Sequence, residues 1–406
     1  MIVALIIFLF TYVLISLRRF KLLSFERPAT ALFGAMLMII FGIITPIEAF
    51  DAIDLNIIFL LLGMMIIVSS IGSTGFFTYV SAQIVNRSKN GLQLLIYIMV
   101  ITAFLSALFL NDAVVLFFTP IIIESTRMIK INAVPYLIAE VFAANIGSVA
   151  TVIGNPQNVY IAIHSSLFFG DWIAVLGPVS ILSLIFAIII IYFIYKKDLN
   201  MPIKNTEEIK ELENKNFLIF SIAIIIATLI AFLVSREIAI IALISGAILL
   251  FFSPLFKSSS SKMILKNVDW SIIVFFIGLF ILLEGVEVSG VLNSIISFFN
   301  SIDLSMTNMG SLVTITSILS NLVSNVPAVL LIAQFITYSN SHLWLALAMS
   351  STLAGNLTII GAAANIIVLE ISSSMGVEIS WKEFSKVGVP ITIGTLLIGY
   401  FILTII

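Results

Sequence analysis

LQLLIYIMVITAFLSALFLNDAVVLFFTPIIIEST (92–126) is too long for one membrane crossing, which takes ~20 apolar residues, and Asn111-Asp112 breaks it near its middle. SLVTITSILSNLVSNVPAVLLIAQFITYS (311–339) poses the same problem, with Ser324-Asn325 at its break. Each stretch is either two short spans or a re-entrant hairpin that enters and leaves by one face. Irregular backbone at that depth is tolerable only where protein or a water-filled cavity surrounds it.

Charge decides between the two. Around these stretches lie candidate spans at 2–17, 29–46, 55–73, 134–169 (interrupted), 172–195, 217–235, 238–256, 270–287, 343–373 (interrupted) and 384–405. With the N-terminus outside and both stretches re-entrant, every Lys and Arg except Arg236 falls on the inside. If either were a true span, everything after it would invert and the positive-inside bias would collapse. Basic residues flank the first hairpin on both sides (Arg87 and Lys89, Arg127 and Lys130), so it opens inward; the second opens outward. Met1–Leu17 is followed, not preceded, by Arg18, Arg19 and Lys21, and reads as a retained first span.

Composition agrees. The 406 residues are 61% hydrophobic and only 10% charged, against about 25% charged in a soluble domain. There are no cysteines, which excludes disulfides, thiolate metal sites and cysteine nucleophiles. His164 and His342 are too few for a histidine-built metal centre, and no H-E-x-x-H, G-x-S-x-G or Walker motif occurs. No enzyme is expected. The hydrophilic stretch 196–216 reads as a cytoplasmic linker, and Trp172 and Trp381 as interfacial anchors.

The two halves repeat one another. AIDLNIIFLLLGMMIIVSSIGSTGFF (52–77) aligns with NVDWSIIVFFIGLFILLEGVEVSGVL (267–292), placing Asp54 on Asp269 and Gly63 on Gly278. SALFLNDAVVLFF (106–118) aligns with SNLVSNVPAVLLI (320–332), and GSVATVIGNPQN (147–158) with AGNLTIIGAAAN (354–365). These pairings place Asn111 on Asn325, Thr151 on Thr358, Gly154 on Gly361 and Asn158 on Asn365. The expected architecture is an all-α polytopic membrane protein with about ten spans plus two re-entrant hairpins in two inverted-topology repeats. Its parts are residues 1–200, a linker at 201–216, and residues 217–406. Both termini are expected outside an inner or plasma membrane. Inverted repeats with interrupted helices point to a secondary transporter whose site lies at the repeat interface near mid-membrane.

Four polar clusters map to that depth: Asn111 and Asp112; Thr151, Gly154, Asn155 and Asn158; Ser324 and Asn325; Thr358, Gly361 and Asn365. Broken helices leave free N–H groups suited to anionic or hydroxyl ligands, and free carbonyls suited to cations. Asp112 is the most informative residue, since an intramembrane carboxylate is expensive and is a functional candidate by default. It can carry a coupling proton or, with Asn325, bind Na⁺; no other cofactor is implied. Glu140 is read as lying near the cytoplasmic interface, and Glu370 and His164 as facing interfacial water. With no Lys or Arg assigned to the interior, a neutral hydroxylated solute or a monovalent cation fits better than a polyanion.

LNDAVVLFFTPI (110–121), SNVPAVLL (324–331), TVIGNPQN (151–158) and LAGNLTIIGAAAN (353–365) resemble the ion transporter superfamily. That group includes arsenite/antimonite efflux permeases, sodium/proton antiporters and sodium-coupled carboxylate symporters. The Asn-Asp tip is most similar to the arsenite permease branch; the carboxylate symporters carry Ser-Asn-Thr at both tips. The resemblance implies that Asn111, Asp112, Asn325 and the residues around Gly154 and Gly361 line the site, and that the protein forms a homodimer. The expected activity is export of a small inorganic oxyacid or anion, arsenite-like, against a proton or cation gradient. The alternatives are Na⁺/H⁺ antiport and Na⁺-coupled carboxylate or anion symport.

Overall fold

The computed structural model describes residues 1–17, 26–165, 167–203, 212–256, 260–292, 307–336 and 340–406. Among these, helices are the only regular elements apart from one isolated bridge, Asn90 to Pro202. Seven helices are long and apolar enough to cross a membrane, and shorter apolar helices lie among them. Helix Lys215–Val234 shows why the fold needs lipid. It turns Ser221 and Thr228 inward with Phe217 and Phe232, and exposes Ile219, Ile226, Ile230 and Leu233. Polar side chains inside and apolar ones outside is the reverse of a soluble helix.

Both long stretches fold as hairpins. The first consists of Gly91–Leu108 and Asn111–Met128. Tyr136 Oη donates to Gly91 O (3.3 Å), and Gly147 lies so close to Ala103 that a Cβ there would meet the Ala103 carbonyl. Helix Gly91–Leu108 therefore runs alongside Val134–Ser148 in the same direction. The return helix runs the other way, since Thr119 pairs with Glu140 and Asn111 with Asn145. The turn at 109–110 thus meets the end of Val134–Ser148, a 15-residue helix. At 1.5 Å per residue such a helix covers about 22 Å, short of a full ~30 Å bilayer core. The second hairpin, Met309–Val323 and Asn325–Ala333, packs likewise against Ser341–Ala354.

Two interrupted helices accompany the hairpins. Val134–Ser148 resumes at Pro156–His164, and Ser341–Ala354 resumes at Ala363–Ser374. Two pairs of long helices pack around this centre. Gly278 of Trp270–Val288 lies against Ala31 of Arg27–Ile40, and Gly63 of Leu55–Gly72 lies against Ala242 of Ile238–Phe252. Small residues of this kind let membrane helices approach closely where no hydrophobic drive exists between them.

Several contacts define the two ends of the molecule. At one, Ile203 N–H donates to Lys89 O (3.0 Å), Tyr195 Oη to Glu383 (3.3 Å) and Ser69 Oγ to Ile264 O (2.8 Å). Arg127 donates to Met375 O at this same end. At the other, His164 lies 3.8 Å from Asp54, and the Arg236 guanidinium sits 4.1 Å over the Phe168 ring.

Some expectations need correcting. Trp172 is no interfacial anchor: it is fully buried, with its indole N–H on Val149 O (3.0 Å). The span expected at 29–46 ends at Ile40, followed by Gly42 at φ 67° and a short helix, Pro46–Asp51. Phe76–Arg87 and Ser261–Lys266 are further helices that the run of apolar residues did not mark. The linker begins late, because helix Phe169–Leu199 continues through Lys196 and Lys197. Its segment 204–211 lies outside the described residues.

Candidate functional site

The two hairpin tips and the two helix breaks meet in one place. A broken helix leaves carbonyls without partners, and asparagine amides supply them here. Asn158 Nδ2 reaches back to Ser148 O and Thr151 O, both at 2.9 Å. Asn365 Nδ2 does the same to Gly355 O (2.7 Å) and Thr358 O (3.0 Å). Each of these asparagines lies one turn into the resumed helix and staples it to the interrupted one. The threonines of both breaks tie to the hairpins, Thr151 Oγ1 to Ala107 O (2.5 Å) and Thr358 Oγ1 to Asn321 Oδ1 (2.8 Å).

The tips are held by the same chemistry. Asn111 donates its backbone N–H to Gly154 O (2.9 Å) and its amide to Asn145 Oδ1 (3.1 Å). Asn145 Nδ2 in turn donates to Asn356 Oδ1 (2.8 Å) and Asn365 Oδ1 (2.9 Å), linking the first broken helix to the second. On the other side, Asn155 and Gln157 donate to Thr352 Oγ1 at 3.1 and 3.2 Å. With the amide assigned as its neighbours require, Asn325 donates to Ser351 O (3.0 Å) and Gly361 O (2.8 Å) and accepts from Gln157 Nε2 (3.2 Å). Thus Asn111, Asn155, Asn158, Asn325 and Asn365 are brought together, but their amides are largely taken up by the protein itself. They build the site's frame.

The open surface lies beside that frame. A cleft of about 340 Å³ is lined by Asp112 and Ser324 from the tips, by Pro156 and Ala363 where the resumed helices begin, and by Asp269, Ser271 and Glu370. It also holds Glu26 and Arg27. The starts of six helices border it, Arg27–Ile40 and Trp270–Val288 as well as the two tip helices and the two resumed helices, which favours oxygen-rich ligands. The Asp112 carboxylate faces the backbone N–H of Ala364, and Arg27 and Asp269 lie within its electrostatic reach. Ser324 turns the second tip with φ 82° and ψ 161°, a region that costs a non-glycine residue about 1–3 kcal/mol.

Three side chains sit where the sequence reading did not put them. Arg27 was assigned to the inside surface, yet its Nη1 donates to Ser324 Oγ (3.2 Å) at a hairpin tip, so the cleft does contain a cation. Glu140 is fully buried rather than interfacial, with Thr119 Oγ1 at 3.0 and 3.1 Å from its two oxygens. Glu370 borders the cleft. The sequence reading also missed Asn145, Asn356, Gln157 and Thr352. The available signal was a polar side chain inside an apolar helix, as in AEVFAANIGS (139–148). Among the described residues no cluster of three or more His, Asp or Glu forms a metal cage.

Residues 12–343 match a family model described as citrate transporter, CitMHS. The 46 kDa membrane protein of Mycobacterium leprae is 29% identical, over 97% of this chain and 95% of that one. The silicon efflux transporter LSI3 of Oryza sativa subsp. japonica is 28% identical, over 86% of this chain and 85% of its own. Among solved structures, the Alcanivorax borkumensis YdaH transporter matches with a TM-score of 0.55 and 12% identity, covering 99% of this chain and 98% of that one. The last likeness shows a shared fold.

Proposed function

Because this chain belongs to the CitMHS citrate transporter family, we propose that it is a cation-coupled secondary transporter for a small, hydroxyl-rich inorganic oxyacid. That it is a membrane transporter and not an enzyme follows from the family; the solute and the coupling are our reading. The observation that carries it is the charge of the cleft, where Glu26, Asp112, Asp269 and Glu370 face the single guanidinium of Arg27. Citrate at neutral pH is a polyanion, and an excess of carboxylates would repel it. An uncharged acid such as arsenous or silicic acid instead offers hydroxyls that donate to carboxylates and accept from Arg27 and Ser324. The silicon efflux relative supports a solute of this class.

Coupling follows from Asp112. As a carboxylate it accepts a solute hydroxyl strongly; once protonated it accepts only weakly through its carbonyl oxygen, so proton and solute compete. A proton gradient directed inward then drives export. Na⁺ competing for the same carboxylates gives a second reading, Na⁺/H⁺ antiport, which the same charge excess favours. Arg27 keeps a Na⁺-coupled anion symporter as a third. Purified protein in liposomes, under imposed pH or Na⁺ gradients, separates them. Arsenous or silicic acid should move against a pH gradient, and expressing cells should gain arsenite resistance. Saturable, Na⁺-dependent citrate or succinate uptake without oxyacid movement would sink the oxyacid reading.

The inverted repeat is part of the proposal. It is supported by packing that obeys the sequence alignment, since Gly63 meets Ala242 as Gly278 meets Ala31, and Asn158 binds Ser148 and Thr151 as Asn365 binds Gly355 and Thr358. We place the Lys89 end in the cytoplasm and both termini outside an inner membrane. Single cysteines at Lys89, Lys130 and Lys262 should then label only from inside, and at Asp51 from outside. External labelling at Lys130 would turn the first hairpin into a span and discard the topology. Asp303, a further outside position, lies outside the described residues.

A further inference from the structure

Arg27 opens helix Arg27–Ile40, which belongs to neither hairpin and to neither interrupted helix. Its guanidinium donates to Ser324, the strained turn of the second tip, and lines the same cleft as Asp112 at the first tip. One side chain on a separate helix therefore lies in the cleft with both hairpin tips. In the corresponding helix of the second half, Ile238–Phe252, the arginine at the start is Arg236, which lies over the Phe168 ring at the opposite end of the molecule. Arg27 stands four residues before Ala31, which meets Gly278; four residues before Ala242, which meets Gly63, stands Ile238.

We propose that Arg27 is a positioning residue that transmits the charge state of Asp112 to the tip of the second hairpin. This rests on reading the cleft as the transport site but not on which solute it carries. With Asp112 ionised, the guanidinium is held between that carboxylate and Ser324, and the unfavourable backbone at Ser324 is kept in place. When Asp112 takes up a proton, that attraction is lost. Among the described residues that line the cleft, the other charged groups are the carboxylates Glu26 beside Arg27, Asp269 at the start of helix Trp270–Val288 and Glu370 on helix Ala363–Ser374. They draw the guanidinium off Ser324, and the strained turn relaxes. Proton uptake at one tip thereby frees the other.

The absence of native cysteine allows a readout that needs no substrate. Val326→Cys places a thiol in the cleft beside Ser324. Its maleimide labelling rate in the purified full chain is followed across a pH series and normalised to Lys89→Cys, which cancels the change in thiolate fraction. The rate should rise several-fold on the acid side. In the Arg27→Gln and Asp112→Asn backgrounds it should stay at the acid-side value at every pH, and Arg27→Lys should restore part of the step. Ser324→Gly, which relieves the backbone and removes the hydroxyl, should also abolish the step, and it provides an arm that does not alter charge. A pH step that persists in Arg27→Gln, or its absence in the parent, overturns the proposal. If arsenous acid is not transported while the step behaves as described, the solute reading falls and the role of Arg27 stands.

Discussion

Asp112→Asn is expected to abolish gradient-driven solute accumulation while leaving the protein folded. The substitution preserves side-chain volume, and the amide oxygen can still accept from the Ala364 N–H that the carboxylate faces. What disappears is titration. Without it the cleft cannot exchange a proton for solute, and accumulation under an imposed pH gradient should fall to the level seen with no gradient. Solute counterflow, which needs no net proton movement, should survive at reduced affinity, since a neutral amide accepts a hydroxyl less strongly than a carboxylate does. Asp112→Glu should keep part of the coupled transport with a displaced pH dependence, because the longer carboxylate still titrates. Parent-level accumulation by Asp112→Asn would make Asp112 a capping residue for helix Ala363–Ser374. Attention would then pass to Glu140, a fully buried carboxylate of the same half.

The sequence disclosed the hairpins because two independent signals agreed there. A polar step interrupted each overlong apolar run, and the distribution of Lys and Arg excluded an extra crossing. The proposed repeat rests on a similar agreement, since three aligned segments stay in order. Depth was not legible. Arg27 was counted as a surface charge because the positive-inside rule bins residues by neighbouring loops, and a helix start that borders an open cleft is both loop-adjacent and internal. Trp172 failed in the same way: one indole near a span end reads as an anchor, although here its N–H is needed at a carbonyl of the first break. The asparagine frame shows a third limit. Asn111, Asn158, Asn325 and Asn365 were marked as binding residues because polar atoms in an apolar setting need partners, and no sequence tells whether the partner is a ligand or the protein's own backbone. Asp112 and Ser324 are the marked residues that border the cleft.

The largest structural effect should come from Asn145, a residue with no direct exposure to the cleft. Its amide is the one group that ties the first tip to both asparagines of the second broken helix, through Asn111, Asn356 and Asn365. All four side chains are buried, and among the described residues Asn356 Nδ2 already lacks a partner. Asn145→Ala leaves one donor and two acceptors unsatisfied, and a buried polar group stripped of its partner costs about 1–3 kcal/mol. Bonds between membrane helices average nearer ~0.6 kcal/mol, because the unpacked helices find other partners. Three groups at these two scales bracket the loss at about 2 to 9 kcal/mol, enough to lower the thermal midpoint of the purified protein in detergent clearly. Asn145→Asp should not rescue it, since the carboxylate accepts from Asn111 but cannot donate to Asn356 or Asn365. A double-mutant cycle gives the stricter test. Asn111→Ala alone frees Asn145 Oδ1, so the combined Asn111→Ala/Asn145→Ala protein should be less destabilised than the sum of the two single changes. Strict additivity would mean that the Asn111–Asn145 bond contributes nothing to holding the first tip, and an Asn145→Ala midpoint equal to that of the parent would mean that the two halves are joined by helix packing alone.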